Sequence, residues 1–194
     1  MRCCKNAPDR RRWSRLFALC AGLFLAVAAH AESGIAVRRA ESRIVNDIYV
    51  VDADLTMTLS DEVRTALDSG VPLTFIVEIE FREPRRYLWD PTVATSTLQL
   101  RLEYHALSKR YVTSNLSART RDGYPTLDDA LVALGTLRGV AIGERRFLAA
   151  ENPGEGRIRA MLDTEALPAP LRPVAYLTSA WRLKSKWARW TITP

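Results

Sequence analysis

The chain has 194 residues, with 28 Lys and Arg against 22 Asp and Glu, a formal net charge of +6 and three cysteines. Hydrophobic residues make up 47% of it, which suits a packed core and excludes a wholly disordered chain. The cysteines and most of the excess charge lie in the first 31 residues, and that placement removes two further function classes.

Arg2, Lys5, Arg10, Arg11, Arg12 and Arg15 form a positive n-region, Leu16 to Ala28 an apolar h-region, and Ala29-His30-Ala31 a small-x-small cleavage site. Together they read as a secretory signal peptide cleaved after Ala31. The apolar run, about 13 residues, is shorter than the roughly 20 that span a membrane, so Sec export to the periplasm is expected, with no integral span after cleavage. Arg10-Arg11-Arg12-Trp13 loosely resembles a twin-arginine signal, but the h-region is strongly apolar and no cofactor motif follows. Cys20 follows a large residue, Leu19, inside the h-region, which does not suit a lipoprotein cysteine. The leader takes all three cysteines, six of the 28 basic residues and one of the 22 acidic ones, leaving 22 against 21. Residues 32–194 are therefore expected to form a single β-rich domain without thiol or disulfide chemistry, and with no charge argument for nucleic acid.

In chain order, Ile35–Ala40 reads as a first strand and Ile48–Thr58 as a second, with Val51, Ala53, Leu55 and Met57 opposing Asp52, Asp54, Thr56 and Thr58. Asp52 and Asp54 share a face, but the glycine, the further carboxylates and the distal Glu of a calcium loop are missing, so solvated aspartates are expected. Leu59 to Phe81 is the clearest stretch. Ser60 caps a helix, Asp61 and Glu62 meet its positive end, and Val63, Ala66 and Leu67 form its stripe. Gly70 and Pro72 end it. From Leu73 the period becomes two, with Leu73, Phe75, Val77, Ile79 and Phe81 on one face of a strand. A helix of about nine residues is too short to stand alone, so it must pack on the sheet to which that strand belongs.

Arg82 to Arg86 form a turn, and Arg85, Arg86, Tyr87 and Trp89 are candidates for the rim of an anion site or for a solvated hairpin tip. Thr95–Ala106 alternates, with Leu98, Leu100, Leu102, Tyr104 and Ala106 inward and Gln99, Arg101, Glu103 and His105 outward. A strand near Tyr111–Leu116 pairs with it across Ser108-Lys109-Arg110. Thr120–Pro125 reads as a polar loop. Thr126 caps a second helix with Leu127, Ala130, Leu131 and Leu134 as its stripe, ended by Gly135 and Gly139. Gly139–Gly156 reads as irregular with a short turn of helix, Arg157–Asp163 as a strand, and Leu167–Leu171 as extended or turn. Trp181–Trp190 fits a strand, with Trp181, Leu183, Ser185 and Trp187 on the core side and Arg182, Lys184 and Lys186 on the other. It also fits a basic amphipathic helix, and Thr191-Ile192-Thr193 tips the choice to the strand. The expected fold is mainly β (α+β), an antiparallel β-sandwich-like domain with two short helices covering a sheet.

Catalytic candidates are few. His105 is the only histidine after the leader, which removes multi-histidine zinc sites and makes it the sole base for a Ser-His-Asp arrangement. Ser108 is near it, without a nucleophile elbow. No phosphate-binding glycine loop accompanies Gly139, Gly143, Gly154 and Gly156. Glu78 with Glu80, or Glu103, are the carboxylates available for glycosidase-type chemistry. No catalytic residue, cofactor site or metal site is assigned.

Leu59-Ser60, Val63-Arg64, Ala66-Leu67 and Gly70 to Phe75 resemble the first signature of an exported proteobacterial family, domain of unknown function 4390. Leu102 to Tyr111 resembles its central signature. Thr126-Leu127 with Ala130-Leu131, Leu162-Asp163 with Leu167-Pro168 and Pro170-Leu171, and Trp181, Leu183, Ser185 and Trp187 resemble later ones. The resemblance implies export in a Gram-negative bacterium and no activity. Through members encoded beside nitrogen-type two-component sensors, it implies an accessory role in signalling. The expectation is a non-catalytic periplasmic module binding an envelope protein or a lipid surface through Arg85, Arg86, Tyr87, Trp89, Arg182, Lys184 and Lys186. The alternatives are an envelope-polymer hydrolase using carboxylates or His105, and peripheral membrane attachment through the C-terminal Trp/Lys segment.

Overall fold

Strand β3 (Leu73–Arg82) carries the alternation farthest: Leu73, Phe75, Val77, Ile79 and Phe81 are each at most 1% exposed. The computed structural model describes residues 33–83, 92–145 and 154–192, so the leader over residues 1–31 lies outside it. In it β3 is flanked by β4 (Thr92–His105) and β8 (Gly154–Leu162), both antiparallel. With β5 (Arg110–Asn115), β6 (Thr120–Tyr124) and β9 (Ala188–Ile192), they form a six-stranded sheet in the order β6-β5-β4-β3-β8-β9. A second sheet holds β1 (Gly34–Val45), β2 (Ile48–Thr58) and β7 (Thr136–Glu144), also antiparallel. Tyr49, Val51, Ala53, Leu55 and Met57 of β2 share one core with the apolar face of β3. Phe81 joins the two sheets: its ring meets Tyr49 edge-on at 5.6 Å and Trp190 at 6.2 Å. The fold is mainly β and sandwich-like, as expected.

Helix α1 (Asp61–Asp68) starts where Ser60 accepts from the Val63 N–H at 3.2 Å, buries Val63 and Leu67, and stops before Gly70 at φ +90°. It packs on β4 and on a 3-10 turn, Ser179–Trp181. Helix α2 (Leu127–Gly135) is capped by Thr126, which accepts from Asp129 N–H at 3.1 Å, and packs on β2.

The described residues hold three helices where two were expected. The third, α3 (Arg172–Leu177), follows the proline-rich turn and has Pro173 in its first turn, where a missing N–H costs nothing. Five other expectations change. Strand β1 runs past Ala40 to Val45, because its charged residues lie on a solvent face, and Asn46 and Asp47, at φ 50° and 61°, turn it into β2. Residues Thr120–Tyr124 are strand β6, paired with β5; as an edge strand with exposed side chains it shows no apolar alternation. Gly139 does not end α2. The chain passes from Gly135 straight into β7, where Val51 faces Val140 while Ala53 faces Leu137, a one-residue bulge that contains Gly139 at φ +63°. The span read as irregular therefore contains the end of β7 and the start of β8. Ala106, expected inward, is exposed in the turn after β4.

Candidate functional site: the outer face and C-terminal edge of the large sheet

The polar face of β3 carries Glu78 and Glu80, and register places Arg159 and Arg157 of β8 opposite them. Arg157 donates through Nε and Nη2 to Glu80 Oε2 at 2.8 and 2.5 Å, and Arg159 Nε donates to Glu78 at 2.5 Å. Over both guanidinium groups lies the Trp187 ring, 4.2 and 4.5 Å from centroid to Cζ, a cation–π arrangement. Trp187 was expected on the core side. A bulge turns it over: Met161 faces Lys184, but Ile158 faces Ala188, so three steps along β8 match four along the last segment. Trp181 and Trp190 do join the core, and Gly156 leaves the space that the Trp190 ring fills.

Beside the ladder runs the last extended segment. Trp181, Leu183 and Ser185 are buried while Arg182, Lys184 and Lys186 are exposed. Leu162 N–H donates to the Leu183 carbonyl at 2.8 Å, and Ser185 N–H to the Ala160 carbonyl at 2.8 Å. Strand-like geometry thus replaces the helical alternative. Two-residue spacing sets the three cations in a row, roughly 6–7 Å apart. The structure brings together these three of the seven nominated residues. Arg85, Arg86, Tyr87 and Trp89 lie outside the described residues, in the connection between β3 and β4. Sequence reasoning missed Arg157, Arg159 and the outward turn of Trp187. The signal was a Glu-x-Glu in one strand and an Arg-x-Arg in another.

The catalytic candidates have other occupations. Glu78 and Glu80 are held by the two arginines. Glu103 lies 3.8 Å from Arg101, 3.4 Å from Arg121 and 3.7 Å from His105. The His105 ring is 3.1 Å from Arg121, and Ser108 donates to the His105 backbone carbonyl at 3.5 Å. Among the described residues, no three His, Cys, Asp or Glu side chains are placed to hold a metal ion.

Asp52 and Asp54 are tied to cations on neighbouring strands. Asp52 accepts from the Gly139 N–H at 2.6 Å and from Arg43 Nε at 3.0 Å; Asp54 accepts from Arg138 at 2.5 Å. The Gly139 N–H holds the Asp52 carboxyl below its ordinary 3.8, against the opposing effect of burial and with help from Arg43 and Arg138. A carboxyl depressed on folding stabilises the protein above its unfolded value, and that stability is lost as pH falls through the folded value. Denaturant unfolding from pH 5 downward is therefore expected to show a steeper loss for the wild type than for Asp52→Asn. Parallel curves would contradict this role.

Between α1 and α3 lies an apolar groove of about 390 Å³ lined by Ala66, Val71, Leu171, Val174, Ala180 and Trp181 among others. On α3, Val174, Tyr176 and Leu177 are 47%, 53% and 82% exposed. No helix among the described residues is long and apolar enough to cross a membrane.

A family model described as Domain of unknown function (DUF4390) matches residues 32–191. No curated protein and no solved structure matches the chain.

Proposed function

The chain belongs to the DUF4390 family, a membership that assigns no activity, and from its surface we propose a non-catalytic exported accessory of the cell envelope. It binds a partner along the Arg182–Lys186 edge, in the periplasm, after the leader is removed. One observation carries this reading: three exposed cations in a row have no ion pair among the described residues, while Arg157, Arg159, Arg101, Arg121 and Arg189 on the same sheet face each have a glutamate. The engaged state of Glu78, Glu80, Glu103 and His105 favours binding over hydrolysis. An accessory role beside two-component sensors fits such a module.

The test compares wild type with the Arg182→Glu/Lys184→Glu/Lys186→Glu variant as bait in envelope extracts. Discrete proteins retained by the wild type and lost by the variant are expected. Equal retention, or none by either, overturns the reading.

Peripheral attachment to a membrane is the second reading. It is favoured by exposed Val174, Tyr176 and Leu177, which closely precede Arg182 in the chain. Co-sedimentation with anionic liposomes that is unchanged by the same charge reversal removes it.

A further inference from the structure

We infer that the Arg182–Lys186 edge takes an extended acidic segment of a partner protein as an added β-strand, an inference that rests on the proposed binding role. The backbone carries it first. The Leu183 carbonyl and the Ser185 N–H are turned to β8, where they bond Leu162 and Ala160. Strand alternation therefore turns the N–H and carbonyl of Lys184 the other way. Neither group of Lys184, nor the Lys186 N–H, finds a hydrogen-bond partner among the described residues. Among the described residues no further strand pairs with the sheet on this side.

Charge carries it second. Lysines commonly guard sheet edges against stray pairing, and the same charges that turn away apolar or basic strands favour an acidic one. Here Arg82, Arg101, Arg121, Arg157, Arg159 and Arg189 of the same face all lie near glutamates. The unbalanced cations Lys184 and Lys186 coincide with the unpaired backbone, and Arg182, whose own N–H donates to the Ser179 carbonyl at 3.0 Å, adds a third charge at its start. An added strand with Asp or Glu at alternate positions places each carboxylate directly opposite a cation, at the Cβ separation of about 5 Å typical of cross-strand pairs. The 3-10 turn ending at Trp181 and the bulge at Trp187 bound the free stretch, so the docked strand is short. This is strand addition at a sheet edge, in which backbone bonds supply affinity and alternate side chains supply selectivity.

The test uses the purified chain and a fluorescent peptide of alternating Glu and Thr, about ten residues long, followed by anisotropy. Binding is expected, weakened about tenfold or more by Lys184→Glu/Lys186→Glu, since two attractive pairs become repulsive. Two N-methylated peptides report on wild type alone and so do not depend on the variant's folding. In an antiparallel strand the residue opposite Lys184 exchanges both backbone bonds with it, so methylation at the Glu nitrogens abolishes binding and methylation at the Thr nitrogens spares it. The reverse pattern indicates a parallel added strand. If both analogues bind like the parent, attraction is charge alone and the strand is overturned. If the peptide fails while phosphatidylglycerol vesicles bind wild type and not the variant, the edge is a lipid contact and the inference falls. If the peptide and the vesicles both fail while envelope proteins still distinguish wild type from variant, the binding role survives and the acidic strand does not.

Discussion

Phe81→Ala is expected to destabilise the protein by about 3–5 kcal/mol, the range for deleting a buried phenyl ring. Phe81 is 1% exposed and stands between Tyr49 of the small sheet and Trp190 of β9. Its loss removes two edge-to-face contacts as well as apolar area. It also leaves a cavity where the sheets meet, and both sheets are hydrogen-bonded through their own ladders and cannot easily collapse into it. A typical domain has only about 5–15 kcal/mol of net stability, so this one change can approach the whole margin. Urea unfolding is the measurement, with Leu107→Ala as the control. Leu107 is fully exposed in a turn, and its truncation is expected to stay within about 0.5 kcal/mol. A Phe81→Ala loss below about 1 kcal/mol would mean that the two sheets do not share one core.

Gly135→Ala is expected to destabilise as well, against the usual sign for a helix. Alanine is favoured over glycine in a helix interior by up to about 1 kcal/mol. Here a Cβ would stand 2.2 Å from the Leu55 carbonyl oxygen and 3.1 Å from its carbonyl carbon. Those are backbone atoms within a paired strand, so relief requires α2 to move away from β2. Overpacking of this kind costs about 1–3 kcal/mol, more than the propensity gain. Because the obstacle is backbone, trimming the Leu55 side chain is not expected to restore stability. Thermal unfolding of Gly135→Ala checks the sign, and an increased Tm would show that the close approach of helix and strand is absent.

The parts of the fold legible in the sequence were those where one physical signal had no competitor. Leu73 to Phe81 has an apolar residue at every inward position because β3 is interior to its sheet and buried along one whole face. Ser60 and Thr126 announced their helices because unpaired N–H groups need a side-chain oxygen. Arg182, Lys184 and Lys186 were legible as a row because buried Leu183 and Ser185 alternate with them. What failed depended on long-range pairing. Strand β6 exists because β5 offers it an edge, with nothing apolar to announce it. The bulges at Gly139 and near Trp187 are mismatches between strands distant in sequence, so the outward turn of Trp187 had no local sign. Helix α3 was hidden by its own proline, which local rules treat as a breaker unless the first turn is already located. The Glu78–Arg159 and Glu80–Arg157 ladder needed the register of β3 on β8, and composition carries none.

A photo-crosslinking residue placed at Lys186 in the full chain, in intact cells, tests the proposed working edge most directly, with the same residue at Lys109 as the control. Lys109 sits in the turn between β4 and β5, on the opposite side of the sheet order. Discrete crosslinked proteins at position 186 and none at 109 are expected, with the 186 products lost when Arg182 and Lys184 are reversed to glutamate. Identical products at both positions, or none at 186, would contradict a binding surface on the C-terminal edge.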